Sequence, residues 1–152
     1  VELRVAPLVL DLCSKKAIGT GLEGKFSIYH ATAIGLGRDK VGMAEFTDAT
    51  VNDPAIKGIR EATTAVADPN VSEDGVEVSV RLKDGRSVGM KLEQSLGNLA
   101  RPLTDAQLEA KFRDQATVIS SAKADKAIAD CWGIEEASDV ATLIDHCIPT
   151  AK

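Results

Sequence analysis

TGLEGKFSIYHATAIGL, residues 20–36, is the stretch whose reading decides the fold. It opens with Thr20-Gly21-Leu22-Glu23, the spacing in which a hydroxyl and a carboxylate each satisfy an orphan amide at a helix start. Phe26, Ile28, Tyr29, Ala31, Ala33, Ile34 and Leu36 then fall around almost the whole helical circumference. A helix that is apolar on most sides is buried on most sides, so the stretch predicts a central buried helix.

Before it, Val1, Leu3 and Val5 alternate with Glu2 and Arg4 and lead into Leu8, Val9, Leu10 and Leu12. That pattern predicts a strand to about Leu12, with Pro7 at an edge, bulge or bend because it has no amide for a ladder. Residues 14–18 read as a polar loop. After the central helix, Gly37 is a natural stop and residues 38–40 a solvated turn. Residues 41–46 are too short and mixed to assign. Asp53-Pro54 starts the next helix, residues 54–62, with a capping carboxylate and a proline where the missing amide is harmless. Ile56 and Ile59 give it one buried edge. Residues 63–67 read as a short strand and residues 68–75 as turns.

The most regular signal lies in Val76, Val78, Val80 and Leu82, which alternate with Glu77, Ser79, Arg81 and Lys83, and in Val88, Met90 and Leu92 beyond a turn. This is a hairpin with one buried face. A two-residue loop would pair Arg81 with Val88 and mix the faces. A three-residue loop, Lys83-Asp84-Gly85, pairs Val80 with Val88, Val78 with Met90 and Val76 with Leu92, with Gly85 in the left-handed position.

Residues 97–103 form a linker. Thr104 and Gln107 repeat the capping spacing, and Leu108, Phe112, Ala116 and Ile119 line one face of a helix to about Ser120, with Asp105 and Glu109 on its solvated side. Two shorter helices follow, residues 124–132 stopped by Gly133 and residues 139–147 capped by Ser138. The fold class is α+β: a small mixed sheet with a β-hairpin packed on a central buried helix, then C-terminal helices. Residues 1–96 form one α+β domain and residues 104–152 a helical segment.

The 152 residues suffice for one domain, or for one small domain plus an appendage. Hydrophobic residues at 44% and charged residues at 27% are those of a soluble globular protein, and aromatics at 3% leave the core to aliphatic side chains. The net charge of -5 with scattered basic residues argues against nucleic acid or an anionic membrane as partner. The apolar run at residues 5–10 is too short for a membrane span, and a cytoplasmic location is the expectation. Cys13, Cys131 and Cys147 have no CxxC spacing and read as inert thiols. The chain begins at Val1 with a strand pattern at once, which reads as a piece of a longer polypeptide.

Gly19-Thr20-Gly21-Leu22-Glu23-Gly24 is a literal G-x-G-x-x-G, with Glu45 near the spacing of a ribose ligand. Against a dinucleotide site stand the polar residues between strand and glycines, the weak segment 41–46 and the hairpin in place of parallel crossovers. His30 and His146 lack partners at ligand spacing, so no metal is expected, and His30 reads as a satisfied core histidine. Lys25 and Ser27 combine a cation, a hydroxyl and free amides near a helix start, a combination suited to a carboxylate. The plainer reading of the pair is a surface lysine and a helix-start serine. No Ser/His/Asp or Cys/His set is apparent, and no cofactor is implied.

The stretch at residues 20–36, EFTDATVNDPAI at 45–56, DGR at 84–86 and RPLTDAQLEAKFR at 101–113 occur in an order that resembles the C-terminal part of the MmgE/PrpD family. That family includes 2-methylcitrate dehydratase and cis-aconitate decarboxylase and is similar to iminodisuccinate epimerase. The resemblance implies a homodimeric two-part enzyme with a large helical domain and a smaller α+β lid, residues 1–96 being the lid and residues 104–152 returning to the helical domain. It also implies metal-free dehydration, decarboxylation or epimerisation of a small polycarboxylate, with Asp, His and Lys as acids and bases. Those groups would lie upstream of Val1, leaving no catalytic residue here and one wall of a cleft: the strand end at residues 8–10 and the helix entry with Lys25 and Ser27. The chain alone is then expected to be inactive, with exposed apolar stripes after Thr104. The alternatives are a non-catalytic α+β binding module and a dinucleotide-binding domain using Gly19 to Gly24.

Overall fold

Strands β1 (Glu2–Val5), β2 (Thr64–Ala67), β3 (Val76–Arg81) and β4 (Ser87–Leu92) build one mixed sheet in the order β2-β1-β3-β4. β1 pairs parallel with β2 and antiparallel with β3, and β3 pairs antiparallel with β4. These coordinates come from a computed structural model that describes residues 1–38 and 40–149. The chain divides into two compact units, Val1–Pro102 and Leu103–Lys152. Among the described residues no helix is long and apolar enough to cross a membrane.

The alternation in β1 works as its sequence predicts, because Leu3 and Val5 are buried while Glu2 and Arg4 face out. The strand ends sooner than expected. Pro7–Cys13 is a helix, α1, with the proline in its first turn and Ala6 in extended geometry before it. A proline with φ fixed near the helical value starts a helix as readily as it bends a strand. Leu8 and Leu12 are then 42% and 63% exposed.

The central stretch is two helices rather than one. α2 (Gly21–Gly24) carries the expected capping box, and α3 (Ile28–Gly37) starts afresh from Ser27, whose hydroxyl accepts the His30 amide. The burial is also narrower than predicted: His30, Ala33 and Ile34 are buried, while Phe26 and Leu36 are about half exposed. The expected turn at residues 38–40 includes Asp39, which lies outside the described residues. The unassigned stretch after it forms a 3-10 turn, Met43–Phe46, and then a helix capped by Thr47, α4 (Asp48–Asn52).

α5 (Pro54–Glu61) starts at Asp53-Pro54 as predicted, and Ile56 packs with Ala33 and Ile34 while Phe46 and Ile59 close the cluster. Arg60 is buried with its Nη1 donating to the Val51 carbonyl at 2.9 Å. The hairpin has the predicted register, Val80 opposite Val88, Val78 opposite Met90 and Val76 opposite Leu92, with Gly85 at φ +90°. Its apolar face, predicted to be buried, is largely open: Val88 is 51% and Met90 67% exposed. Thr32, Gly35 and Leu36 of α3 and Val78, Val80, Val88, Gly89 and Met90 of the hairpin line a groove of about 390 Å³.

In the second unit α6 (Asp105–Gln115), α7 (Ser121–Trp132) and α8 (Ala141–Cys147) follow in turn. α6 is capped by Thr104 and Gln107 as predicted but stops before Ser120, because Ser120 caps α7. α8 begins beyond Ser138, and Asp139 Oδ1 accepts the Ala141 amide instead. Ala124, Ala127 and Ile128 are buried, whereas Val118, Trp132, Val140 and Ile144 are at least half exposed.

Candidate functional site

The turn between α2 and α3 carries both candidate binding residues. Lys25 closes α2, with its amide donating to the Leu22 carbonyl and its side chain exposed. Ser27 is 2% exposed, and its hydroxyl accepts the His30 amide at 3.2 Å. Cap geometry of this kind leaves the first amides of α3, at Ile28 and Tyr29, without helical acceptors. A cation and helix-start amides therefore flank one turn, with the Ser27 oxygen turned inward as the cap.

The turn is held from both sides. An antiparallel bridge joins Ser14 to Ser27, which brings the lysine pair at 15 and 16 beside it. Lys15 Nζ lies 2.6 Å from Glu23 Oε1. The Lys15 contact first, and the Gly19 amide next, pull the Glu23 carboxyl down to about 2 from its ordinary 4.5. Lys16 Nζ donates to the Thr63 carbonyl at 2.7 Å and sits 5.2 Å above the Tyr29 ring. Sequence spacing gave no sign of that second arrangement, because Thr63 is 47 residues away.

The glycine pattern does structural work here. The Gly19 and Thr20 amides donate to Glu23 Oε2 at 2.8 and 3.2 Å, and the Gly21 amide donates to Asp48 Oδ1 at 2.7 Å. The amides that a pyrophosphate needs at a helix start are thus already taken by carboxylates. A Cβ on Gly21 would stand 1.9 Å from the Phe46 carbonyl oxygen, so this glycine permits a close backbone crossing.

His30 is fully buried, as expected of a core histidine, but only half satisfied. Its Nε2 donates to the Glu45 carbonyl at 3.1 Å, and its Nδ1 is buried with no hydrogen-bond partner among the described residues. Burial lowers its pKa from the ordinary 6.5, nearby Arg60 adds to that, and the Glu45 bond opposes both. The other histidine gained a partner that sequence reasoning missed. His146 Nδ1 lies 2.6 Å from Asp130 Oδ2 and ties α8 to α7. The 16-residue separation crosses a helix break, so no helical periodicity reveals it.

Leu8, Val9 and Leu10, expected at a strand end in a cleft wall, instead form the first turns of α1. Among the described residues, no cluster of three or more His, Cys, Asp or Glu side chains is placed to hold a metal ion. A comparison with curated proteins gives no match. The family model described as the MmgE/PrpD C-terminal domain matches residues 1–134, spanning the sheet, the turn with Lys25 and Ser27, and the helices through α7. With that match covering most of its 152 residues, the chain belongs to the MmgE/PrpD family and forms a C-terminal part of such a protein.

Proposed function

We propose that this chain is the lid and returning helices of a cytoplasmic, homodimeric MmgE/PrpD-type enzyme that dehydrates, decarboxylates or epimerises a small polycarboxylate. The acid and base belong to a helical domain outside these residues, and this chain closes over the substrate. The observation that carries the reading is the family match over residues 1–134. The α2–α3 turn supports it, because an exposed lysine beside the start of α3 suits a carboxylate. Lys25 would attract one substrate carboxylate. Ser27 would act from beneath by holding the first turn of α3 in place.

The test is an assay with citrate-like acids, using this chain and a polypeptide that also carries the family's helical domain. Turnover is expected only from the longer form. Turnover by this chain alone would refute the division of labour. In the longer form Lys25→Ala is expected to raise KM about tenfold with little change in kcat, the signature of lost uniform binding. An unchanged KM would remove Lys25 from the site.

A further inference from the structure

The buried ring of His30 joins three elements of the first unit. It projects from α3, and its Nε2 donates to the Glu45 carbonyl in the 3-10 turn at 3.1 Å. It meets Phe46 of the same turn edge-on, with ring centres 5.6 Å apart at 73°. Against α2 the fit is tight, since a Cβ on Gly24 would lie 2.9 Å from His30 Cδ2 and 3.2 Å from Val51 Cγ2 of α4. A carbonyl can only accept, so Nε2 carries the proton in the neutral ring and the buried Nδ1 holds a bare lone pair.

We propose that His30 is an acid-operated latch: as a neutral ring it clamps residues 43–52 onto the α2–α3 turn, and protonation of Nδ1 releases that segment. A proton on Nδ1 would have no protein acceptor among the described residues. The new charge would also sit near Arg60 of α5, a cation that is itself buried and bound to the Val51 carbonyl.

The carboxylates on the surrounding elements are engaged elsewhere. Glu45 Oε2 accepts the Gly42 amide, Asp48 Oδ1 accepts the Gly21 amide, and Glu23 holds Lys15 and the amides of residues 19 and 20. Lys25, the cation on the α2 side, has an exposed side chain. A buried unpaired charge is relieved by letting water in, and the least cooperative cover moves first. That cover is the four-residue turn and the five-residue α4, against the ten residues of α3. Release breaks the Gly21–Asp48 bond and removes the backing of the turn that carries Lys25. The latch is a property of this unit and stands independently of the proposed enzyme function.

The sign follows from the lowered pKa. Latching is complete above the ordinary histidine value of about 6.5 and is lost as pH falls through the lowered one. Between the two, opening grows by up to about tenfold per pH unit.

Hydrogen exchange of the whole chain from pH 7.5 to 5, corrected for intrinsic rates, reads this directly. Amides of residues 46–52 are expected to open progressively as the pH falls, while those of Val78 and Val88 in the hairpin hold steady. His30→Gln retains a donor for the Glu45 carbonyl and does not titrate, so its opening is expected to be independent of pH. A flat wild-type profile, or the same slope in His30→Gln, would overturn the proposal. If that variant does not fold, ring nitrogen shifts of wild-type His30 decide: protonation in step with opening supports the latch, and a ring that stays neutral while the segment opens refutes it.

Discussion

Gly21 marks the closest approach of two backbone segments, because the space its side chain would fill holds the carbonyl of Phe46. Both sides of that contact are main chain, so neither can rotate away. Gly21→Ala is expected to lower stability by about 3 kcal/mol, the upper range for overpacking, measured by urea denaturation. Ser27→Ala removes the oxygen that caps α3 and is expected to cost about 1–2 kcal/mol by the same measurement. Glu23 supplies a pH-dependent contribution of known sign. Its folded pKa of about 2 lies below the ordinary 4.5, so its stabilisation is present above 4.5 and lost as pH falls toward 2. Between pH 5 and 2.5 the urea midpoint of Glu23→Gln should therefore fall less than that of the wild type. The capping spacing made Glu23 legible in advance. Its lysine partner, and the half-satisfied state of His30, depend on neighbours that local sequence does not fix.

Among the elements, the hairpin was the most legible, because alternation fixes the faces and only the three-residue loop keeps them matched. Gly85→Ala forces a Cβ into the left-handed region at φ +90° and is expected to destabilise the fold by about 1 kcal/mol. Gly58 presents the opposite case. It lies inside α5, and a Cβ there meets nothing within 4 Å. Gly58→Ala is accordingly expected to raise stability by about 0.5–1 kcal/mol, read as an increased midpoint in thermal unfolding. α1 was misread because a short apolar run such as residues 5–10 fits strand and helix alike. Pro7 could begin one or bend the other, and the single extended residue Ala6 separates the two outcomes.

At the scale of the molecule, the exposed aliphatic surface is the feature with the clearest consequence. Val88 and Met90 on the hairpin, with Leu36 of α3, leave an apolar groove open in the first unit. Contiguous apolar surface of this kind binds hydrophobic dyes and partners. The whole chain is expected to enhance anilinonaphthalene sulfonate fluorescence at neutral pH, and the double substitution Val88→Thr, Met90→Lys should reduce that signal. Because both side chains are at least half exposed, the change is expected to alter stability by no more than about 0.5 kcal/mol. Unchanged fluorescence would place the dye site elsewhere.

What the sequence determined by itself is what local chemistry dictates. The capping boxes at Thr20 and Thr104, the helix start at Asp53-Pro54, the hairpin register and the ordered segments that mark the MmgE/PrpD family all depend on residues a few positions apart. Tertiary structure decided the rest. It split the central stretch at Ser27, where the chain turns to bury His30, Ala33 and Ile34 against α5 and the 3-10 turn. It also left the hairpin's apolar face open and assigned the glycine-loop amides to Glu23 and Asp48. Each of those outcomes turns on which distant surfaces meet, and periodicity records only that a face is apolar, not what covers it.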